Sequence, residues 1–222
     1  MKGAEKIQPA LTLTLCGDRA VQWIARCARE EEAAQGALLR DAEIRLDSLP
    51  ALELRDCRLE NCRITGSAEE MAGRPSLVET VLEGCDLAGA DLSGAVLRRV
   101  AFGRCRATGL LLARSLAHRV EMEECVCRYL NLCVSDWKKA AFRGCDLSGA
   151  SIQETRLQNV SFTDCRLTGA ELFRTPLAGI DLTSNQLEGL SLSGGELRGA
   201  VVTPYQASEL ARLLGVVIRD GP

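Results

Sequence analysis

The chain has 222 residues, enough for one substantial domain with its own core, and 46% of them are hydrophobic. Only 4% are aromatic, so the core must be assembled from small and medium aliphatic side chains, which suits a thin, repetitive interior better than a large globular one. A formal net charge of −3 is too mild to specify a partner.

Taken in chain order, the first segment offers no export or membrane signal. Residues 10–15 are apolar but broken by Thr12 and Thr14, lack a small-residue cleavage pattern, and are far too short to cross a bilayer. A cytoplasmic protein with no membrane partner is expected. Residues 18–34 read as an amphipathic helix: Trp23, Ile24, Cys27 and Ala28 form an apolar stripe, and Arg26, Arg29, Glu30, Glu31 and Glu32 face water.

From residue 37 an apolar residue recurs every five positions: Leu39, Ile44, Leu49, Leu54, Leu59 and Ile64, with Cys57 and Cys62 two places before the last two. The interval from Ile64 to Leu82 is not a multiple of five, which marks residues 66–79 as an inserted loop, with the coil resuming near Leu77. From Leu82 the period of five then runs to Val202 without a slip. A second, smaller set sits two residues earlier (Thr80, Cys85, Ala90, Ala95, Val100, Cys105, onward to Ala200), and glycine is frequent two residues later (Gly84, Gly89, Gly94, Gly109). Period five fits neither an α-helix nor a plain strand. It fits a chain that turns a corner every five residues and points two side chains inward per segment, with glycine easing the corner.

Segments such as Cys85-Asp86-Leu87-Ala88-Gly89, Ala90-Asp91-Leu92-Ser93-Gly94 and Cys145-Asp146-Leu147-Ser148-Gly149 resemble the pentapeptide-repeat family over roughly residues 37–202. That resemblance implies an all-β fold, a right-handed quadrilateral parallel β-helix with four pentapeptides, or 20 residues, per coil. The chain itself tests the implied coil length. Cys85, Cys105, Cys125, Cys145 and Cys165 fall one coil apart; so do Phe102, Met122, Phe142 and Phe162; and so do Ala95, Ser115, Ser135, Thr155 and Thr175. On this frame residues 1–36 are an N-terminal segment with a capping helix, 37–65 the first coils, 66–79 the loop, 80–202 the main β-helix, and 203–222 a C-terminal capping helix and tail. Thr203-Pro204 reads as an N-cap with proline at the first helical position, and Gly215 as the stop. Helices at both ends cover sheet edges that would otherwise invite aggregation.

The eleven cysteines are an odd number in a chain without an export signal, which argues against a disulfide framework. Neighbouring coils should lie about 4.8 Å apart, a little far for a relaxed disulfide, so the ladder reads as small hydrophobes filling a narrow corner. Cys125-Val126-Cys127 is not a zinc pair, and His118 points outward in the register. No catalytic, cofactor or metal residue stands out: one histidine, no phosphate-binding loop, no acid/base dyad.

The outer surface carries more information. Residues 98–143 hold ten basic and four acidic groups, against eleven and seventeen in residues 1–97. Arg98, Arg99, Arg119, Lys138 and Lys139 should stack with His118 as a ridge, which is either a solvated face or a surface for something anionic. Beside it, Leu111, Leu116, Cys133, Val134 and Phe173 are apolar at outward positions. Either they form a partner patch or the N-terminal helix covers them.

The leading expectation is a non-catalytic interaction or structural scaffold for a protein partner. The family resemblance also extends distantly to the quinolone-resistance branch, which implies an alternative, a DNA-mimicking binder of type II topoisomerase (DNA gyrase), and a homodimer through the C-terminal helix. The basic middle coils depart from such a mimic, and direct nucleic-acid binding is disfavoured by the net acidity and the lack of interleaved aromatics.

Overall fold

The computed structural model describes residues 7–219. The chain opens with strand β1 (Leu13–Cys16) and helix α1 (Asp18–Arg29), then β2 (Ala34–Gln35), β3 (Ala37–Arg40) and β4 (Glu43–Arg45). Next come β5 (Glu53–Arg55), β6 (Arg58–Glu60), β7 (Arg63–Thr65), and three longer strands, β8 (Ser76–Glu83), β9 (Val96–Gly103) and β10 (Leu116–Glu123). Short strands β11 (Asp136–Lys138), β12 (Ala141–Arg143), β13 (Arg156–Gln158) and β14 (Ser161–Thr163) follow, and helix α2 (Pro204–Leu213) closes the fold. Every strand pair is parallel, as in β9–β10 (Leu97 with Ala117, Phe102 with Met122) and β10–β12 (Met122 with Phe142). The architecture is the expected right-handed, four-sided parallel β-helix with a helix at each end.

The period of five produces this shape through two alternating demands. Inward positions are small or aliphatic and fully buried, as at Leu82, Cys85, Leu87, Ala90 and Leu92. Corner positions take a left-handed backbone, at glycine in many coils but also at Arg99, Arg119, Val134 and Lys139. Between coils the backbone is paired: Arg106 N–H donates to Cys85 O at 2.9 Å, and Val126 N–H to Cys105 O at 3.0 Å. A thin core therefore leaves few buried backbone groups without a partner.

The interior columns stack as their spacing requires. Phe142 lies 5.0 Å from Phe162 and 5.6 Å from Trp137, ring centre to ring centre. Trp137 is fully buried, and its indole N–H donates to Ser115 Oγ at 3.0 Å. In the hydroxyl column Ser135 Oγ donates to Leu112 O at 3.0 Å and Thr155 Oγ1 to Leu132 O at 2.6 Å. The thiols act likewise, Cys125 Sγ donating to Phe102 O at 3.4 Å and Cys145 Sγ to Met122 O at 3.3 Å. All eleven cysteines are free; those of the column are buried, Cys133 is half-buried and Cys16 is exposed. Burial pushes the Cys57 thiol up from its ordinary value.

The N-terminal helix is shorter than the amphipathic stretch predicts, ending at Arg29, because Glu31 takes a left-handed backbone that breaks the helix. It buries Ala20, Ile24 and Cys27 against β1, β2 and β4. Leu39 pairs with Leu59, but Leu59 pairs with Leu82, so this coil is three residues longer than the others. The coil resumes at Ser76, and Ser67 still bridges to Asp91. Gly66 has φ +84, and any Cβ there would strike the Asp47 carboxylate, which accepts the Ser67 N–H at 2.9 Å. At the other end Thr203 and Gln206 form a reciprocal capping box around Pro204. The Gln206 amide also donates to Leu182 O (2.9 Å) and Asn185 O (2.8 Å), binding the helix to the last coils. Among the described residues no helix is long and apolar enough to cross a membrane.

Candidate partner-binding surface

The ridge residues lie where the register puts them, in two adjacent columns on one face and its corner. His118 on β10 pairs with Arg98 on β9 and with Lys138 on β11. Arg99, Arg119 and Lys139 follow at the corner, each with a left-handed backbone that turns the side chain outward. Burial and the nearby charges of Lys139, Arg119, Arg98 and Lys138 hold the His118 imidazole below its ordinary value. That direction reports a concentrated positive field.

The ridge is only partly neutralised. Arg99 is ion-paired with Glu79. Lys138 Nζ lies 3.1 Å from Asp136, which Arg156 also approaches at 3.3 Å. Among the described residues no carboxylate lies within ion-pairing distance of Arg98, Arg119 or Lys139. A different pattern holds elsewhere: Arg106 grips Asp86 with two hydrogen bonds of 3.0 and 2.5 Å, holding that carboxyl below the usual carboxylate range. Arg58 and Arg40 do the same to Glu60, each at 2.7 Å.

The apolar positions divide into two groups. Leu116 is 47% exposed and lies on the same face as His118, while Val134 is 60% exposed at the corner on the far side of that face. A shallow depression joins Leu116 and Val96 to the ridge residues Arg98, His118 and Lys138, with Asp136 at its side. Leu111 and Cys133 are half-buried on the adjoining face, and Phe173 lies two coils further on with Gln153 between it and Cys133. Helix α1 packs on β1, β2 and β4. This overturns the alternative in which that helix covers the patch, because its apolar stripe is already used at the end of the rod.

Two exposed apolar sites were missed by the sequence reading. Tyr129 and Val126 are exposed on another face, with the Arg128 guanidinium 5.9 Å from the Tyr129 ring centre. Beyond α2, Val216, Val217 and Ile218 are exposed together with Leu213 and Leu214. The first pair could have been found as outward positions on the five-residue grid; the second lies outside the grid. Among the described residues no group of three or more metal-binding side chains converges.

Comparison with known proteins accords with this geometry. A family model described as a pentapeptide repeat region matches residues 135–209, and one described as pentapeptide repeats in eight copies matches residues 76–109. Pentapeptide repeats are thus matched over two stretches, both inside the β-helix. No curated protein sequence matches it. Among solved pentapeptide-repeat and related structures, it is similar to a trypsin-treated form of QnrB1, a plasmid-mediated fluoroquinolone resistance protein (17% identity, 95% of this chain and 98% of that one, TM-score 0.45). Full-length QnrB1 gives 17% identity over 93% and 99% of the two chains, with a TM-score of 0.39. HetL, a pentapeptide-repeat protein involved in heterocyst differentiation regulation from the cyanobacterium Nostoc, gives 18% identity, 74% and 89% coverage, and a TM-score of 0.25.

Proposed function

We propose that this pentapeptide-repeat protein is a non-catalytic scaffold that binds a protein partner through the outer faces of its β-helix, chiefly the face carrying Arg98, His118, Arg119, Lys138 and Lys139. One observation carries the reading. Arg98, Arg119 and Lys139 lie in two adjacent stacked columns without a carboxylate partner, in a molecule where Asp86 and Glu60 are each held by arginines at 2.5–3.0 Å. Stacked like charges repel, and an anionic partner relieves that repulsion. Leu116 and Val134 supply an apolar margin, with Leu111 and Phe173 as outlying contacts. A homodimer through α2 is part of the same proposal, supported by the exposed Leu213, Leu214, Val216 and Val217.

The test is capture from the native host with wild type and with Arg119→Glu/Lys139→Glu. Both side chains point to solvent, so the fold should survive. Capture should weaken in the reversed variant, and in wild type as salt screens the contact. Gyrase supercoiling measured in parallel separates the topoisomerase alternative, in which acidic faces would bind. Inhibition or drug protection by wild type that persists in the reversed variant would overturn the present reading.

A further inference from the structure

The face between Val134 and the ridge carries Leu116 beside the ridge cations, while in its own corner column Val134 lies between Arg114 and Glu154. Val134 is the apolar residue of that charged column and is anomalous in two respects. A β-branched residue with φ 60 is a conformational outlier, since its branched Cβ crowds the backbone there. Yet the side chain stays largely in water, so burial does not offset the strain. Strain of this kind collects where a surface is used. Across the face, Arg98, Arg119 and Lys139 lack carboxylates, and Leu116 sits between the two edges.

Resting on the binding reading above, we infer that this face seats a short extended segment of an acidic protein, its apolar side chains on Leu116 and Val134 and its carboxylates over Arg98, Arg119 and Lys139, with His118 taking up a proton as the segment docks.

The dimensions suit such an occupant. Two steps between coils at about 4.8 Å give roughly 10 Å of ridge, about three residues of extended chain at ~3.3 Å each. A duplex-binding module needs roughly 600–1,000 Å² of strongly positive surface, whereas this ridge is short and interrupted by Asp136. The apolar margin also has no use against phosphates.

The proton uptake follows from what surrounds His118. Arg98 faces it from β9, Lys138 from β11, and Arg119 and Lys139 from the corner; Arg99 is occupied by Glu79, and Asp136 by Lys138 and Arg156. Burial and those cations keep the imidazole neutral to lower pH than usual. Carboxylates arriving over the ridge cancel the repulsion and favour the charged ring. Linkage then requires binding to tighten as pH falls.

The probe is a fluorescein-labelled peptide of about eight alternating leucines and glutamates, titrated at low salt against the full chain. Poly-glutamate of equal length and a short duplex DNA are the comparators. Wild type should bind the mixed peptide several-fold tighter than poly-glutamate, and Arg119→Glu/Lys139→Glu should weaken it about tenfold. Val134→Asn, which suits a left-handed corner and so keeps the fold, should remove the preference for leucine. Between about pH 7.5 and 5.5, where glutamates stay ionised, wild-type affinity should rise about three- to tenfold, and His118→Gln should be flat. A pH response retained in His118→Gln refutes proton uptake while leaving the docking reading intact. Failure of the charge reversal to weaken binding removes both. Tighter binding of the duplex, equal binding of poly-glutamate, or no peptide binding overturns the assignment of an acidic and apolar protein segment.

Discussion

Trp137 gives the most quantitative test of the interior. It occupies a position most often filled by leucine, is paired with the small Ala117 of the preceding coil, is fully buried, and has Ser115 Oγ as its indole acceptor at 3.0 Å. In Ser115→Ala the indole N–H is stranded. Neighbouring bonds survive, because Ser115 N–H still donates to Ser135 Oγ and Ser135 Oγ to Leu112 O. A buried donor left without an acceptor costs about 1–3 kcal/mol. In a Trp137→Phe background the donor is already gone, and the only other bond lost, from Ser115 Oγ to Ser135 Oγ at 3.2 Å, is lost in both backgrounds and cancels. The double-mutant cycle should therefore show a coupling of about 1–2 kcal/mol, with Ser115→Ala costing less in the phenylalanine background. Guanidinium unfolding followed by far-ultraviolet circular dichroism measures all four proteins without depending on tryptophan emission. Additive costs, with no coupling beyond error, would refute the account of how the indole is accommodated.

Cys125→Ala should fold and lose about 1–2 kcal/mol, from lost burial and a small cavity; in native wild type Cys16 should react rapidly with a thiol reagent while the buried column reacts only on unfolding. Burial raises the Cys57 and Cys27 thiols above 9.0, so the folded state holds these protons more tightly than the unfolded chain. Stability from this source is complete below about pH 9 and declines as pH rises through the folded values; denaturation midpoints from neutral to alkaline pH should show the decline, and an unchanged slope in Cys57→Ala would contradict it. Gln206→Ala removes two amide donors to Leu182 O and Asn185 O and the acceptor of the Thr203 N–H, and should cost about 1–3 kcal/mol. Hydrogen exchange should then accelerate in the last coils and not around Cys105.

Much of the fold was legible because each interior position repeats one coil later in the same environment. Cys85 to Cys165 and Phe102 to Phe162 are column members in the sequence and in space, and the five-residue grid assigns inside and outside directly. Where the grid lapses, legibility falls. The helix limit at Arg29 depends on the left-handed Glu31, and the return of the coil at Ser76 on its pairing with Glu53 of the preceding coil. The surface was legible only as columns. That Arg99 is neutralised by Glu79 while Arg119 is not depends on what occupies the preceding coil, Glu79 before one and Arg99 before the other. The division of the apolar residues between two faces likewise required knowing which corner lies between Leu111 and Leu116.

The longer coil between Leu59 and Leu82 has a consequence for how such a molecule can change. The additional residues enter at the corner between Ser67 and Ser76, for a net gain of three in the coil, and the columns on either side remain in line. Corners are therefore places where chain can be spliced in without disturbing the interior, whereas an odd residue within a face would turn its inward side chains outward. Variation in this architecture is quantised: whole coils lengthen the rod, corner insertions decorate it, and intermediate changes are penalised by the core.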